Sequence, residues 1–221
     1  MIVPLHALIV AVVLAPVPQA APPGFVMWSA FELAQRDAAL SARVGPDHSA
    51  RETLADYGNP SGAHRFRFIH RDADGIPEIH DDIIDVVFVR SGEATLLVGG
   101  DMVNRTGSRG TGIKGGMRYS VGAGDMLHIP ATTPHGYLVP DGGHITYVLV
   151  RVPAFVGEPV VRADAPELEL DPPGFAMWSA ADLAQRDAAL STRVGADHSA
   201  RETLADYGNP SGAHRFRFIH R

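Results

Sequence analysis

From Leu5 to Leu14 the chain is nearly all apolar, interrupted only by His6, and the run ends at Ala15-Pro16-Val17-Pro18. Further on, Ser29-x-x-Glu32 precedes Leu33, Ala34 and Leu40, a capping box that predicts a short amphipathic helix. Ser49-x-x-Glu52 repeats the device ahead of Leu54 and Tyr57, with Gly58 as the C′ residue, and predicts a second short helix. After the turn Asn59-Pro60-Ser61-Gly62, residues His64 to Arg71 largely alternate polar and apolar, which marks a half-buried strand. Strand-like runs follow at about 84–91, 93–99, 117–121, 125–130, 135–140 and 144–152, separated by Gly, Asp and Pro turns. Many short strands with no helix between them predict an all-β fold, a small antiparallel β-barrel of jelly-roll type with short N-terminal helices.

The opening of this pattern occurs twice. Residues 22–71 recur at 172–221 with an offset of 150, differing only at Val26/Ala176, Phe31/Ala181, Glu32/Asp182, Ala42/Thr192 and Pro46/Ala196. The chain therefore reads as a domain at 22–155, a linker at 156–171 rich in Glu, Asp and Pro, and a truncated repeat at 172–221. By itself the repeat offers too little apolar surface to offset the entropy of ordering it, so it must dock, swap or stay loose. Because residues 201–221 are identical to 51–71, it could compete for the first copy's place on a barrel, in the chain or in a partner, and a homodimer is one outcome. The run at 5–14 has the length of a signal-peptide core and falls short of the ~20 apolar residues of a membrane span. Residues 1–21 are accordingly expected to be a signal peptide, and the mature protein secreted or periplasmic with no stable membrane span.

Composition narrows the chemistry. With 221 residues, 45% apolar and 20% charged, the chain fits one globular domain with material left over, and neither wholesale disorder nor a multi-span membrane protein. A net charge of −6 supplies no basic field for a phosphate backbone, so nucleic acid is not an expected partner. The absence of cysteine excludes disulfides, thiolate zinc sites and cysteine nucleophiles, leaving imidazole, carboxylate and water to hold any metal. Of the basic residues only Lys114 is lysine, which points to a GC-rich bacterial genome, and no cationic cluster that would select an anionic substrate is visible. Residues 99–124 read as a long glycine-rich hairpin loop, and no nucleophile elbow is present.

Glu78 and His80 are two apart, so in an extended segment both face one side, and Asp85 opens the apolar run Val86-Val87-Phe88-Val89. Some 50 residues later Gly124-Asp125-Met126-Leu127-His128-Ile129-Pro130 leads through a turn to His135. Two histidines and two carboxylates gathered in a barrel would satisfy a divalent Mn, Fe, Zn or Ni ion. Each also has a plainer reading: Glu78 as a solvated loop carboxylate, Asp85 as a strand-start residue, His80 and His135 as core histidines. His128 reads as core or as a group behind the ligands, and His48, His64 and His70 as surface or strand residues.

Over residues 60–152 the chain resembles the cupin superfamily. Its first motif, G-x5-H-x-H-x(3,4)-E-x6-G, is present in modified form as Glu78-x-His80-x4-Asp85-x6-Gly92, with glutamate for the first histidine and aspartate for the glutamate. The second, G-x5-P-x-G-x2-H-x3-N, matches at Gly124, Pro130 and His135, with Thr132 for the glycine and Val139 for the asparagine. The resemblance implies a small β-barrel with a metal in its mouth, and by residue-wise carry-over places His80, Asp85, His135 and Glu78 at the metal positions. The expected protein is thus an exported barrel binding a divalent metal and a small organic ligand. It would be either a metal-dependent oxygenase, isomerase or hydrolase in which Glu78 or His128 moves protons, or a non-catalytic metabolite- or sugar-binding module.

Overall fold

The computed structural model describes residues 25–58, 64–154, 171–207 and 214–221; residues 1–21, the turn at 59–62 and linker residues 156–170 lie outside them. At Ser29 the capping box forms: the Ser29 side chain accepts from Glu32 N, and Ser29 N donates to Glu32 Oε2 at 2.8 Å, starting α1 (Ala30–Ser41). Ser49-x-x-Glu52 begins no helix. Residues Ser49–Tyr57 are a strand, β1, paired antiparallel with β2 (His64–Arg71), and Gly58 is no helix cap. The ladder to β2 supplies the segment's backbone partners, and Glu52 reaches across to Arg36 of α1 rather than back to a cap. Tertiary pairing here overrides a local signal worth about 1 kcal/mol.

The following elements are β3 (Ile83–Val98), the hairpin β4 (Asp101–Val103) and β5 (Gly112–Lys114), β6 (Met117–Gly122), β7 (Met126–Ile129), β8 (His135–Leu138) and β9 (Ile145–Pro153). Among the described residues the strand pairings are antiparallel, and the fold is mostly β. The runs at 84–91 and 93–99 are one continuous strand. The first half of β3 pairs with β9 and β7, and the second half with β6 and β8. A bulge at Arg90, where Val89 and Ser91 oppose the consecutive residues Tyr147 and Thr146, shifts the inward parity. Val87 and Val89 before it, and Ala94, Leu96 and Val98 after it, therefore enter the same core. Gly92 makes the corner possible: at φ +72° its missing Cβ would lie 2.0 Å from the His144 carbonyl oxygen.

The alternation in β2 is used in the opposite sense to a simple core-facing strand. Phe68 packs outside the barrel with Leu40 of α1 and Ala50, forming a second small core under the helix. Arg67 and Arg71 face inward with Ile69. Asp37 of α1 fastens that helix to the barrel: it accepts from Ser91 Oγ (2.5 Å) and Thr146 Oγ1 (2.7 Å), and contacts His70 Nδ1 at 3.1 Å.

In the second copy the order is β10 (Ala176–Trp178), α2 (Ala180–Ser191), β11 (Ala200–Tyr207) and β12 (His214–His220). Strand β10 adds to the free edge of β7, and Phe175 enters the main core at 1% exposure, whereas its equivalent Phe25 is 59% exposed. Leu204, Ala205, Trp178 and Met126 form the seam. The two copies thus use different faces: the first joins β9 through β2, and the second joins β7 through β10. Among the described residues no helix is long and apolar enough to cross a membrane.

Because Asp187 of the second copy contacts His220 but stands half-exposed, the two equivalent aspartates should differ in weight. Asp37→Ala should cost about 2 kcal/mol and Asp187→Ala under about 1 kcal/mol in urea unfolding. Burial raises the Asp37 carboxyl, but hydrogen bonds from Ser91, Thr146 and His70 outweigh it and hold the pKa low. The stability it confers is therefore complete above the unfolded value of about 3.9 and lost as pH falls through the lower folded value. The stability gap between Asp37→Ala and the unmodified chain should accordingly close in acid.

Candidate functional site

Glu78 and His135 form a backbone pair, Glu78 N donating to His135 O at 2.8 Å and His135 N to Glu78 O at 2.9 Å. Directly opposed residues send their side chains to one side, so both point into the barrel mouth. His80 is held by Thr132 N, which donates to its carbonyl at 2.6 Å. Thr132 sits at φ +60°, the left-handed region, at the position where the resemblance has glycine. Asp85 lies on β3 opposite Arg151 of β9 and Ile129 of β7. One ligand atom each from Glu78, His80 and His135 lies within 4.8 Å of the others. Asp85 Oδ2 stands 3.4 Å from His135 Nε2 and 3.6 Å from His80 Nε2. The four residues named from the sequence are therefore neighbours, with Asp85 beside the other three.

The chemistry of the donors fits a divalent ion. His135 Nδ1 is 2.9 Å from the Thr133 carbonyl, which can only accept, so Nδ1 carries a proton and Nε2 faces the site. His80 Nε2 is 2.8 Å from Arg151 Nη2, which can only donate, so Nε2 carries a lone pair and directs it at that guanidinium. Glu78 is half-buried and contributes a carboxylate to the same space. Burial pushes its carboxyl up, but His80, His135, Arg151 and Arg71 together bring it down to about 2. Asp85 is likewise raised by burial and more than offset by His135 and Arg151. For His135 burial lowers the pKa, and the Asp85 hydrogen bond and charge outweigh it, leaving a net rise. A divalent ion held at Nε2 would take that proton's place.

Arg151 is the resident cation. Its Nε is 3.1 Å from Asp85 Oδ1 and its Nη2 is 3.2 Å from Glu78 Oε2. Arg67 and Arg71 of β2 and Arg51 of β1 line the same pocket, with Tyr137 and Tyr147 stacked at 5.0 Å. The expectation that no cationic cluster exists is thus corrected. Arg51, the pair Arg67 and Arg71, and Arg151 come from separate strands, and the β1–β2–β9 ladder brings them together. The alternation of Arg65 and Arg67 with Phe66 and Phe68 was the available signal, but without knowledge of the helix covering Phe68 it assigns the arginines to solvent.

His128 lies elsewhere. It is 1% exposed on the outer face of β7, with Nδ1 2.9 Å from the Gly174 carbonyl and its ring against Phe216. It therefore does not serve the site as a proton carrier. His70 is a buried strand residue bound to Thr146, and His48 is exposed beside Asp72.

No protein-family model matches the chain, and no curated protein is similar to it in sequence. Its structural neighbours are cupin-2 conserved barrel and double-stranded β-helix proteins. A cupin-2 conserved barrel protein from Rhodopseudomonas palustris is 20% identical, covers 62% of this chain and 71% of its own, and has a TM-score of 0.35. The polyketide cyclase RemF from Streptomyces resistomycificus is 17% identical over 50% of this chain and 74% of its own, with a TM-score of 0.35. A Streptomyces nucleoside dehydratase, solved with uridine, is 15% identical over 51% and 75%, with a TM-score of 0.36.

Since Arg151 neutralises two carboxylates of low exposure, Arg151→Met should lower stability by about 3 kcal/mol, the cost of leaving buried charge without its partner. Thermal melts of the variant and the unmodified chain in metal-chelating buffer check this.

Proposed function

We propose that the barrel mouth binds a divalent metal ion and a small organic ligand, with Glu78, His80 and His135 as protein ligands and Asp85 beside them. The convergence of one carboxylate and two imidazole ligand atoms within 4.8 Å carries the reading. Such a set of nitrogen and oxygen donors suits Mn, Fe, Zn or Ni. When bound, the ion would supply Lewis-acid polarisation or oxygen activation, and the reaction would be oxidation, isomerisation or hydrolysis of a small molecule. The Thr133 carbonyl holds the His135 ring with Nε2 inward, Arg151 orients Glu78 and Asp85, and Ile69, Val87, Ile129 and Leu149 give the pocket a dry wall. The apolar run at 5–14 supports export as part of the same proposal, with 22–155 as the functional unit.

A second reading is favoured by Arg151. Its guanidinium touches Glu78, Asp85 and His80, as the resident cation of a non-catalytic small-molecule-binding module would.

Metal content by mass spectrometry, on protein purified without added ions, separates the two. His80→Ala and His135→Ala should each lower bound metal by more than about tenfold, the loss found even for groups that only orient a ligand. Asp85→Ala should cost less, and Glu78→His should move selectivity from Mn toward Fe or Ni. Equal metal content in the unmodified chain and both histidine variants, with unchanged melts, would leave the binding module as the better reading.

A further inference from the structure

We propose that the pocket beside Glu78 and His135 takes a small molecule bearing an oxyanion, a carboxylate or phosphate group, held by Arg67, Arg71 and the Tyr137 hydroxyl. The inference rests on the reading of the barrel mouth as a small-molecule site and adds the charge class of the ligand.

Four guanidiniums line the pocket, from Arg51, Arg67, Arg71 and Arg151, against the carboxylates Glu78 and Asp85. Arg151 already engages both carboxylates, and Arg51 pairs at the rim with Asp47 at 2.7 Å. Arg71, 8% exposed, donates from Nε to the Tyr147 hydroxyl at 3.1 Å. Among the described residues Arg67 makes no hydrogen bond or close ion pair with a carboxylate, and Glu78 acts on it only through its charge. Burial, together with Arg151, Arg65 and Arg51, outweighs the Glu78 charge and makes its protonated form less favourable than usual. With Arg51 paired to Asp47, three guanidiniums share the two carboxylates Glu78 and Asp85, and this excess of positive charge in a partly dry pocket calls for an anion from outside. Guanidinium forks match the oxygens of a carboxylate or phosphate in bidentate geometry.

Tyr137 makes the second, independent observation. Its hydroxyl is buried, lines the same pocket and has no hydrogen-bond partner among the described residues. A tyrosine hydroxyl can donate, and no acceptor meets this one among the described residues. A buried polar group left unpaired is costly, and an oxyanion reaching Arg71 would pair it.

The test is calorimetric titration with succinate, with its uncharged isostere succinamide and with inorganic phosphate, on full-length protein before and after chelation, metal content being measured in each sample. Succinate or phosphate should bind at least tenfold more tightly than succinamide; whichever binds better identifies the group as carboxylate or phosphate. Arg67→Gln should weaken oxyanion binding about tenfold, whereas Arg118→Gln, at an exposed position of β6, should not. Tyr137→Phe removes a hydroxyl that has no internal partner, so it should fold normally and still lose several-fold affinity. Equal affinity for succinate and succinamide, or unchanged oxyanion binding in both the Arg67 and Tyr137 variants, overturns the proposal. Arg67-dependent succinate binding in protein that holds no metal even before chelation would sustain this inference while defeating the metal reading. Bound metal without anion discrimination would do the reverse.

Discussion

Charge carried into a β-barrel has to be answered inside it, and the Arg151 guanidinium is where this protein does so. It bridges Glu78 from the segment before β3 to Asp85 on β3 itself, while its own strand β9 lies between β2 and β3. The hydrogen-bonded pair of Glu78 with His135 then ties the mouth to β8, and Asp85 holds His135 from the other side. Replacing such a cluster with apolar residues would not reduce the core, so its presence argues for a role beyond stability. The same space could hold a metal ion, since ligand atoms of Glu78, His80 and His135 converge there.

The barrel reaches this arrangement through one long strand. The bulge at Arg90 and the corner at Gly92 let β3 serve two sheets, with Asp85 at the mouth and Leu96 and Val98 in the closed core. Without the added residue, the half beyond the bulge would present Glu93, Thr95 and Leu97 inward. A single backbone irregularity thus separates a polar end, where chemistry is feasible, from an apolar end that supplies stability.

The repeated unit shows how far environment decides the use of one sequence. Phe25, Val26 and Met27 are exposed, whereas Phe175 and Ala176 are buried against the barrel. Ile69 is 5% exposed beneath β9, but Ile219 is 50% exposed on a hairpin that meets no β9. Each copy keeps the capping box, the helix and the internal hairpin, which depend only on local contacts. What differs is the neighbour: β9 for one and the edge of β7 for the other. Strand edges accept any backbone of suitable shape, so this placement is set by what lies within reach.

Local chemistry was legible in the residues. The capping box at Ser29, the succession of short strands from β2 onward, and the spacing of Glu78, His80, Asp85 and His135 follow from period, turn residues and ligand types. These features involve residues close in the chain or of a distinctive kind. The strand at 49–57 was hidden because its partner β2 outweighs an equally regular capping pattern. The arginine pocket was hidden for a related reason: α1 roofs Phe68, which turns the polar face of β2 inward. An alternating strand states that its two faces differ, but not which face is covered. Long-range packing decides that, because the free energy of burying Phe68 under a helix is gained only once the helix has docked.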